Sequence, residues 1–184
     1  MRPLVEAADQ PSASAEYLDI EISARHPESG LAWSMAELRI EELTAETISA
    51  ANSLTLKPGQ EAFLEPTTYT NAEQQLDPAG SWPRVVRDGD DVVGYIMGAF
   101  DADAPEEYLR AAIWRVNVAA EAQGRGVGRF AIEAFADEAR RRGFSRATVV
   151  WASGEGGPGE FFESVGFRVV GQTPFGENLG ALEL

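Results

Sequence analysis

Glycine at every second position, Gly124, Gly126 and Gly128, set between a strand-like and a helix-like run, constrains this chain more than any other feature. The stretch is "AAEAQGRGVG", joining "AAIWRVNV" to "GRFAIEAFADEARRR". Where a strand turns into a helix, the first amides of the helix have no intrahelical acceptor. Glycines there strip away side chains, so those amides can converge on an anion, and a phosphate suits them. Arg125 and Arg129 add cationic donors to the same rim. The competing reading is a tight turn that binds nothing, because glycine motifs are loose. No G-x-x-x-x-G-K-[ST] run occurs, which excludes that nucleotide loop. Gly126 to Ala131 does satisfy the dinucleotide pattern G-x-G-x-x-A. Against it, the next strand, "RATVVWAS", ends in Ala152 and Ser153 where an acidic ribose ligand belongs, and too little chain follows for a doubly wound sheet.

The rest of the pattern is mixed α/β. "AELRIEEL" alternates like a strand, and "TAETISAANSL" reads as a helix with Thr44 as N-cap and Thr47 three residues on. "EAFLEPTTYTNAEQQLDP" predicts a short helix or loop, a turn, and a second short helix from near Thr70. "SWPRVVRDGDDVVGYIMGAFDA" is a β-hairpin: Arg84 to Arg87, the turn "DGDD", then Val92 to Phe100. A strand over 113–118 precedes the glycines. The helix over 128–142 carries Ala131, Ile132, Phe135 and Ala139 on one face, arginines in its last turn and Gly143 beyond its end. "RATVVWAS" is a buried strand, "PGEFFESVGF" a short helix ending at Gly166, and "FRVVGQTP" and "NLGALEL" are closing strands. An antiparallel run followed by one strand–helix–strand unit is the order these make. Residues 1–34 stand apart: "AADQPSASAEY" is polar, "YLDIEIS" alternates, and "RHPESGLAWS" is linker-like. They are expected to be an extension, in part disordered, ahead of a domain over 35–184 that opens at Met35.

Composition narrows the function. A net charge of −15 repels nucleic acid and anionic membranes, so neither is an expected partner. Zero cysteines exclude thiol catalysis and thiolate metal sites, and the single histidine, His26, leaves no triad or multi-histidine metal centre. No metal is expected. Neither a membrane-length apolar run nor a secretory leader is present, which points to the cytoplasm.

"QGRGVG" fits Q/R-x-x-G-x-G/A, and through it the chain resembles the GNAT superfamily of acetyl-CoA-dependent N-acetyltransferases. "FFESVGF" resembles the family's "lYekLGF", "LRIEEL" its first strand, and "VVGYIMG" its central meander, in the right order over residues 36–184. "KPGQEAFLEPTTYTNAEQ" and "GENLGALEL" are similar to the subgroup of diamine, spermine and spermidine acetyltransferases. The fold so implied is α/β of the mixed α+β kind: a central, mostly antiparallel twisted sheet flanked by helices, with a splayed strand pair holding the cofactor.

The resemblance implies direct attack of an amine on acetyl-CoA. Backbone amides of Gln123, Gly124, Arg125, Gly126, Val127, Gly128 and Arg129 would cradle the pyrophosphate. The backbone of Val116, Asn117 and Val118 would hold the pantetheine arm and polarise the thioester carbonyl. A base must take a proton from the incoming ammonium. Glu61, Glu65, Tyr69, Asp101, Asp103 and Glu177 are candidates, and Glu61, Tyr69 and Glu177, lying in the polyamine-like segments, are favoured. The family's thiolate-protonating tyrosine is matched by Phe162, which lines the cofactor site with no proton to give, and Glu155 stands near the place of a cofactor-contacting asparagine. Tyr95 is either core or cleft; Trp82, Trp114 and Trp151 are assigned to packing. The acceptor is expected to be a small amine, polyamine or another cation. A protein N-terminus or lysine as acceptor, and a degenerate domain that binds acetyl-CoA as a sensor, are the alternatives. Relatives are often dimers, which admits a homodimer.

Overall fold

Mostly apolar and buried runs, alternating with polar residues only in the first strand, build the first half of the sheet. A computed structural model describes residues 38–63 and 79–184, all within the second of the two units into which the chain divides, Trp33–Leu184. Strands β1 (Leu38–Glu42), β2 (Ser81–Asp88), β3 (Asp91–Phe100) and β4 (Ala111–Val118) pair antiparallel in chain order. The hairpin strands are longer than Arg84–Arg87 and Val92–Phe100, and β2 takes in Pro83. Its carbonyl faces Leu43, whose amide donates to it at 3.4 Å. The missing N–H of Pro83 therefore points to the same side, just past Arg84, where β1 pairing ends.

The second half is antiparallel too, but joins the first in parallel. β5 (Arg146–Trp151), β6 (Arg168–Gln172) and β7 (Asn178–Glu183) complete a seven-stranded sheet of order β1-β2-β3-β4-β5-β7-β6. The mixed α/β fold read from the sequence is thus the observed one. β4 and β5 pair at only two positions, Ala112 with Thr148 and Ile113 with Val149, and then part toward their C-terminal ends. A bulge in β4 lies next to that point. Arg115 is opposite Met97 and Ile113 opposite Gly98, so Trp114 is the extra residue.

Helix α2 (Val127–Arg141) follows β4 and covers one face of the sheet. Two glycines of β3 let it lie close. A Cβ at Gly94 would stand 2.9 Å from Val127, and one at Gly98 only 2.1 Å from the Phe135 ring. Phe135 is fully buried, stacked on Phe100 at 4.8 Å and edge-on to Trp82 at 5.5 Å. At the far end Gly143 takes φ of 86° and donates to the Arg140 carbonyl, while Phe144 donates to Ala139. Helix α3 (Gly159–Ser164) ends the same way at Gly166.

The first helix is shorter than expected. Residues 45–47 form a turn, and α1 spans Ile48–Asn52 with Thr47, not Thr44, at its N-cap position. Thr44 still contributes: its carbonyl accepts the Ile48 amide, and its amide donates to the Thr47 hydroxyl. A 3-10 turn at Gln60–Phe63 follows. The helix expected near Thr70, together with Glu65, Tyr69, His26, Met35 and "YLDIEIS", lies outside the described residues. Among the described residues, no helix is long and apolar enough to cross a membrane.

Candidate active site

The parting of β4 and β5 leaves a groove through the sheet, walled on one side by each strand. One cavity, of about 320 Å³, runs from the gap to the start of α2. Val116, Val118, Gln123, Gly124, Gly128 and Phe162, named from the sequence as cofactor residues, all line it. Gly124 and Gly126 have φ of 80° and 89°, and a Cβ on either would meet no atom within 4 Å. Both positions therefore demand glycine for conformation, and both leave the backbone bare toward open space. No side chain caps α2, so the amides of its first turn are left without a side-chain acceptor; Gly126 itself is not among the residues lining the cavity. Gly128 is glycine for another reason: a Cβ there would stand 2.9 Å from the Phe161 ring. A wide, bare, amide-lined rim at a 15-residue helix start fits the pyrophosphate of a CoA thioester.

Not every expected residue faces the groove. Arg125 is 3.0 Å from Asp88 of the hairpin, and Arg129 donates to the Ser164 carbonyl, so neither guanidinium lines it. Val127 is buried against Gly94. Asn117 is buried opposite Tyr95, and side chains of directly paired positions share a sheet face. Its backbone, with that of Val116 and Val118, still forms the parted edge of β4.

A second cavity, of about 370 Å³, shares Phe63, Ile113, Trp114, Arg115 and Trp151 with the first. Glu177 lines it, with Tyr108 and Thr148. Of the favoured bases, the described residues bring only Glu177 to the site. Its carboxylate accepts from the Thr173 hydroxyl at 3.1 Å. Glu61 is exposed and accepts from the Gly59 amide at 2.8 Å, closing its own turn instead of lining a cavity. Asp101 and Asp103 are bonded to each other in the exposed β3–β4 loop, and Glu155 is exposed beside the groove.

Tyr95 is core, not cleft. It is fully buried with Ala51, Val85 and Met97 on the face of the sheet away from α2. Burial pushes its phenol up to about 12, although the nearby Arg115 pulls the other way. It stays protonated at neutral pH and takes no proton from a substrate. The linkage has a definite sign. The raised folded value means the stabilisation is complete below pH ~10 and is lost as pH climbs to ~12. Denaturant titrations between those limits should show stability falling by roughly 2–3 kcal/mol, and Tyr95→Phe should flatten that slope.

Three features were missed by sequence reasoning. Trp114 and Trp151, assigned to packing, both line the two cavities; Trp114 is 44% exposed because the bulge turns it out, while Trp151 is buried and stacked on Phe162 at 5.2 Å. Arg115 is a buried cation in both walls, and a charge inside the apolar run "AAIWRVNV" was the available signal. Gln60 and Gln123 exchange a pair of amide hydrogen bonds, 2.8 and 3.2 Å, that tie the 3-10 turn to the groove rim.

The profile of the acetyltransferase (GNAT) family matches residues 17–167, opening inside the stretch 1–34 set apart above. The chain belongs to the GNAT acetyltransferase family. Its fold is that of solved acetyltransferases at low identity. An acetyltransferase from Thermus thermophilus is 22% identical, with TM-score 0.59 over 80% of this chain and 97% of that one. The PaiA N-acetyltransferase from Thermoplasma acidophilum, solved in complex with coenzyme A, is 10% identical, with TM-score 0.62 over 80% and 99%. The ribosomal-protein-S18-alanine N-acetyltransferase from Escherichia coli is 16% identical, with TM-score 0.59 over 79% and 93%. No curated protein matches the chain in sequence. Among the described residues, no three His, Cys, Asp or Glu side chains converge as a metal site would require.

Proposed function

We propose that this chain transfers the acetyl group of acetyl-CoA directly to a small cationic amine, with a polyamine as the type. The observation that carries the cofactor half is the groove between the parted strands, ending on bare glycine amides at the start of α2. A neighbour of the same fold, solved with coenzyme A, supports it. Amides of residues 124–129 hold the pyrophosphate, and the open edge of β4 at Val116–Val118 holds the pantetheine arm and donates to the thioester oxygen. Acetyl-CoA supplies an acyl group on a good leaving group.

The acceptor half rests on Glu177. It lies in the second cavity beside Trp114 and Tyr108, a carboxylate with aromatic neighbours, which suits an alkylammonium. Glu177 takes the proton, and the freed lone pair forms the C–N bond as the C–S bond breaks. Phe162 cannot protonate the departing thiolate, so that proton comes from solvent. The same phenylalanine favours a second reading, a domain that binds acetyl-CoA without turning it over.

Thermal unfolding with acetyl-CoA, then thiol release with spermidine, separates the readings. At a hundred times its dissociation constant, acetyl-CoA should add ~2.7 kcal/mol of stability. Stabilisation with amine-dependent thiol release supports the transferase. Stabilisation without release on any amine supports the binder, and no stabilisation defeats both.

A further inference from the structure

The run "SGEGGPG", between β5 and α3, is a second glycine cluster, and two of its members answer to a side chain far away in sequence. A Cβ at Gly154 or at Gly157 would stand 3.1 Å from the Phe63 ring. The ring closing the 3-10 turn therefore rests on backbone left bare for it. The same segment is tied to the other side of the groove by hydrogen bonds. The Ala120 amide donates to the Thr55 carbonyl at 2.8 Å, and Gln60 and Gln123 exchange their amide bonds. The Gln123 side-chain amide also donates to the Val118 carbonyl, 3.0 Å away at the end of β4. Residues 55–63 thus run as a strap from the β4 rim to the loop after β5. They span the gap that those strands leave by pairing at only two positions.

Phe63 has a particular place in this strap. Among the described residues, every side that the two cavities share belongs to β4 or β5, Phe63 alone excepted. It is the one piece that comes from outside the sheet, an apolar ring set where the groove meets the second cavity. A thioester held at the parting of the strands can be attacked by an amine or by water. Closing an apolar group over such a site keeps water from a reactive acyl group. We propose that Phe63 decides between the two nucleophiles, admitting the amine through the second cavity and keeping water off the acyl carbon. The proposal rests on the reading that the groove takes acetyl-CoA. Without the ring, water attacks the carbonyl carbon, and a C–O bond forms as the C–S bond breaks. Acetate and the CoA thiol leave; one proton of the water goes to the thiolate and the other to solvent.

Thiol release from acetyl-CoA by the full chain, with no amine present, tests this beside melting temperatures taken with and without acetyl-CoA. Phe63→Ala should release thiol on the order of 10-fold faster than the parent. With spermidine added, it should release more thiol than the acetylated amine it forms, where the parent's two products match. Loss of structure alone slows both reactions together, so it does not move that ratio. Phe63→Leu, which keeps apolar bulk against Gly154 and Gly157, should restore most of the protection. Gly157→Ala keeps Phe63 but crowds its ring from the other side, and should leak as well; it decides the matter if Phe63→Ala does not fold. A folded Phe63→Ala chain that acetyl-CoA stabilises, yet that hydrolyses it no faster than the parent, overturns the proposal and leaves the cofactor reading standing. A parent that acetyl-CoA does not stabilise overturns both.

Discussion

Glu177→Gln should lower amine acetylation at neutral pH by ~10²–10⁴-fold and leave the stabilisation by acetyl-CoA as it was. The amide has nearly the shape of the carboxylate and can still accept from the Thr173 hydroxyl, which bonds Glu177 at 3.1 Å. The backbone bond from Thr173 N–H to the Glu177 carbonyl, 2.9 Å, does not involve the side chain. The turn therefore survives, and only the capacity to take a proton is lost. An amine that arrives protonated then waits for solvent to deprotonate it. The deficit should shrink as pH rises toward the amine's own pKa, because the fraction already neutral grows. Thiol release measured against pH, with binding followed separately by melting temperature, checks both halves. A variant as fast as the parent across the range removes Glu177 from the chemistry.

Gly126→Val should abolish the response to acetyl-CoA while costing only modest stability. Gly126 holds φ of 89°, where a β-branched residue is strained by roughly 1–2 kcal/mol. That strain alone should lower the melting temperature by ~2–8 °C. The added isopropyl group also enters open space at the turn into α2, where no protein atom lies within 4 Å of a Cβ. A matched control separates the two effects. Gly143, at the other end of the same helix, has φ of 86° and equally open space. Gly143→Val should melt as early as Gly126→Val and still be stabilised by acetyl-CoA. Equal loss of response in both would show that strain, not the cradle, is responsible.

Local signals were the legible ones. The hairpin announced itself through "DGDD" between two strand-like runs, α2 through its one-sided alanines with Phe135, and the helix stops through Gly143 and Gly166. Each depends on residues within a few positions of one another. The glycine turn was legible because positive φ and a bare backbone leave a mark in residue type itself. What escaped depends on distant partners. Nothing near Gln60 declares that it bonds Gln123, 63 positions away. Trp114 looks like any core tryptophan until the unequal register of β3 and β4 turns it outward. Glu61 and Glu177 were alike on paper, two carboxylates in resembling segments. The structure separates them because one closes a turn on the surface and the other follows β6 back toward the parted strands.

The short pairing of β4 with β5 sets a limit on how this chain can be improved. Every further rung between them would add backbone hydrogen bonds and tighten the join between two otherwise self-contained antiparallel halves. Each rung would also fill the width of the groove proposed to take the ligand. Cohesion and capacity thus draw on the same backbone groups, and selection for a tougher protein runs against selection for a working one at this position. Substitutions that raise heat resistance without loss of ligand should therefore gather elsewhere, in the hairpins, the helix ends and the core under α2. The open edge of β4 is where the molecule has to stay unfinished.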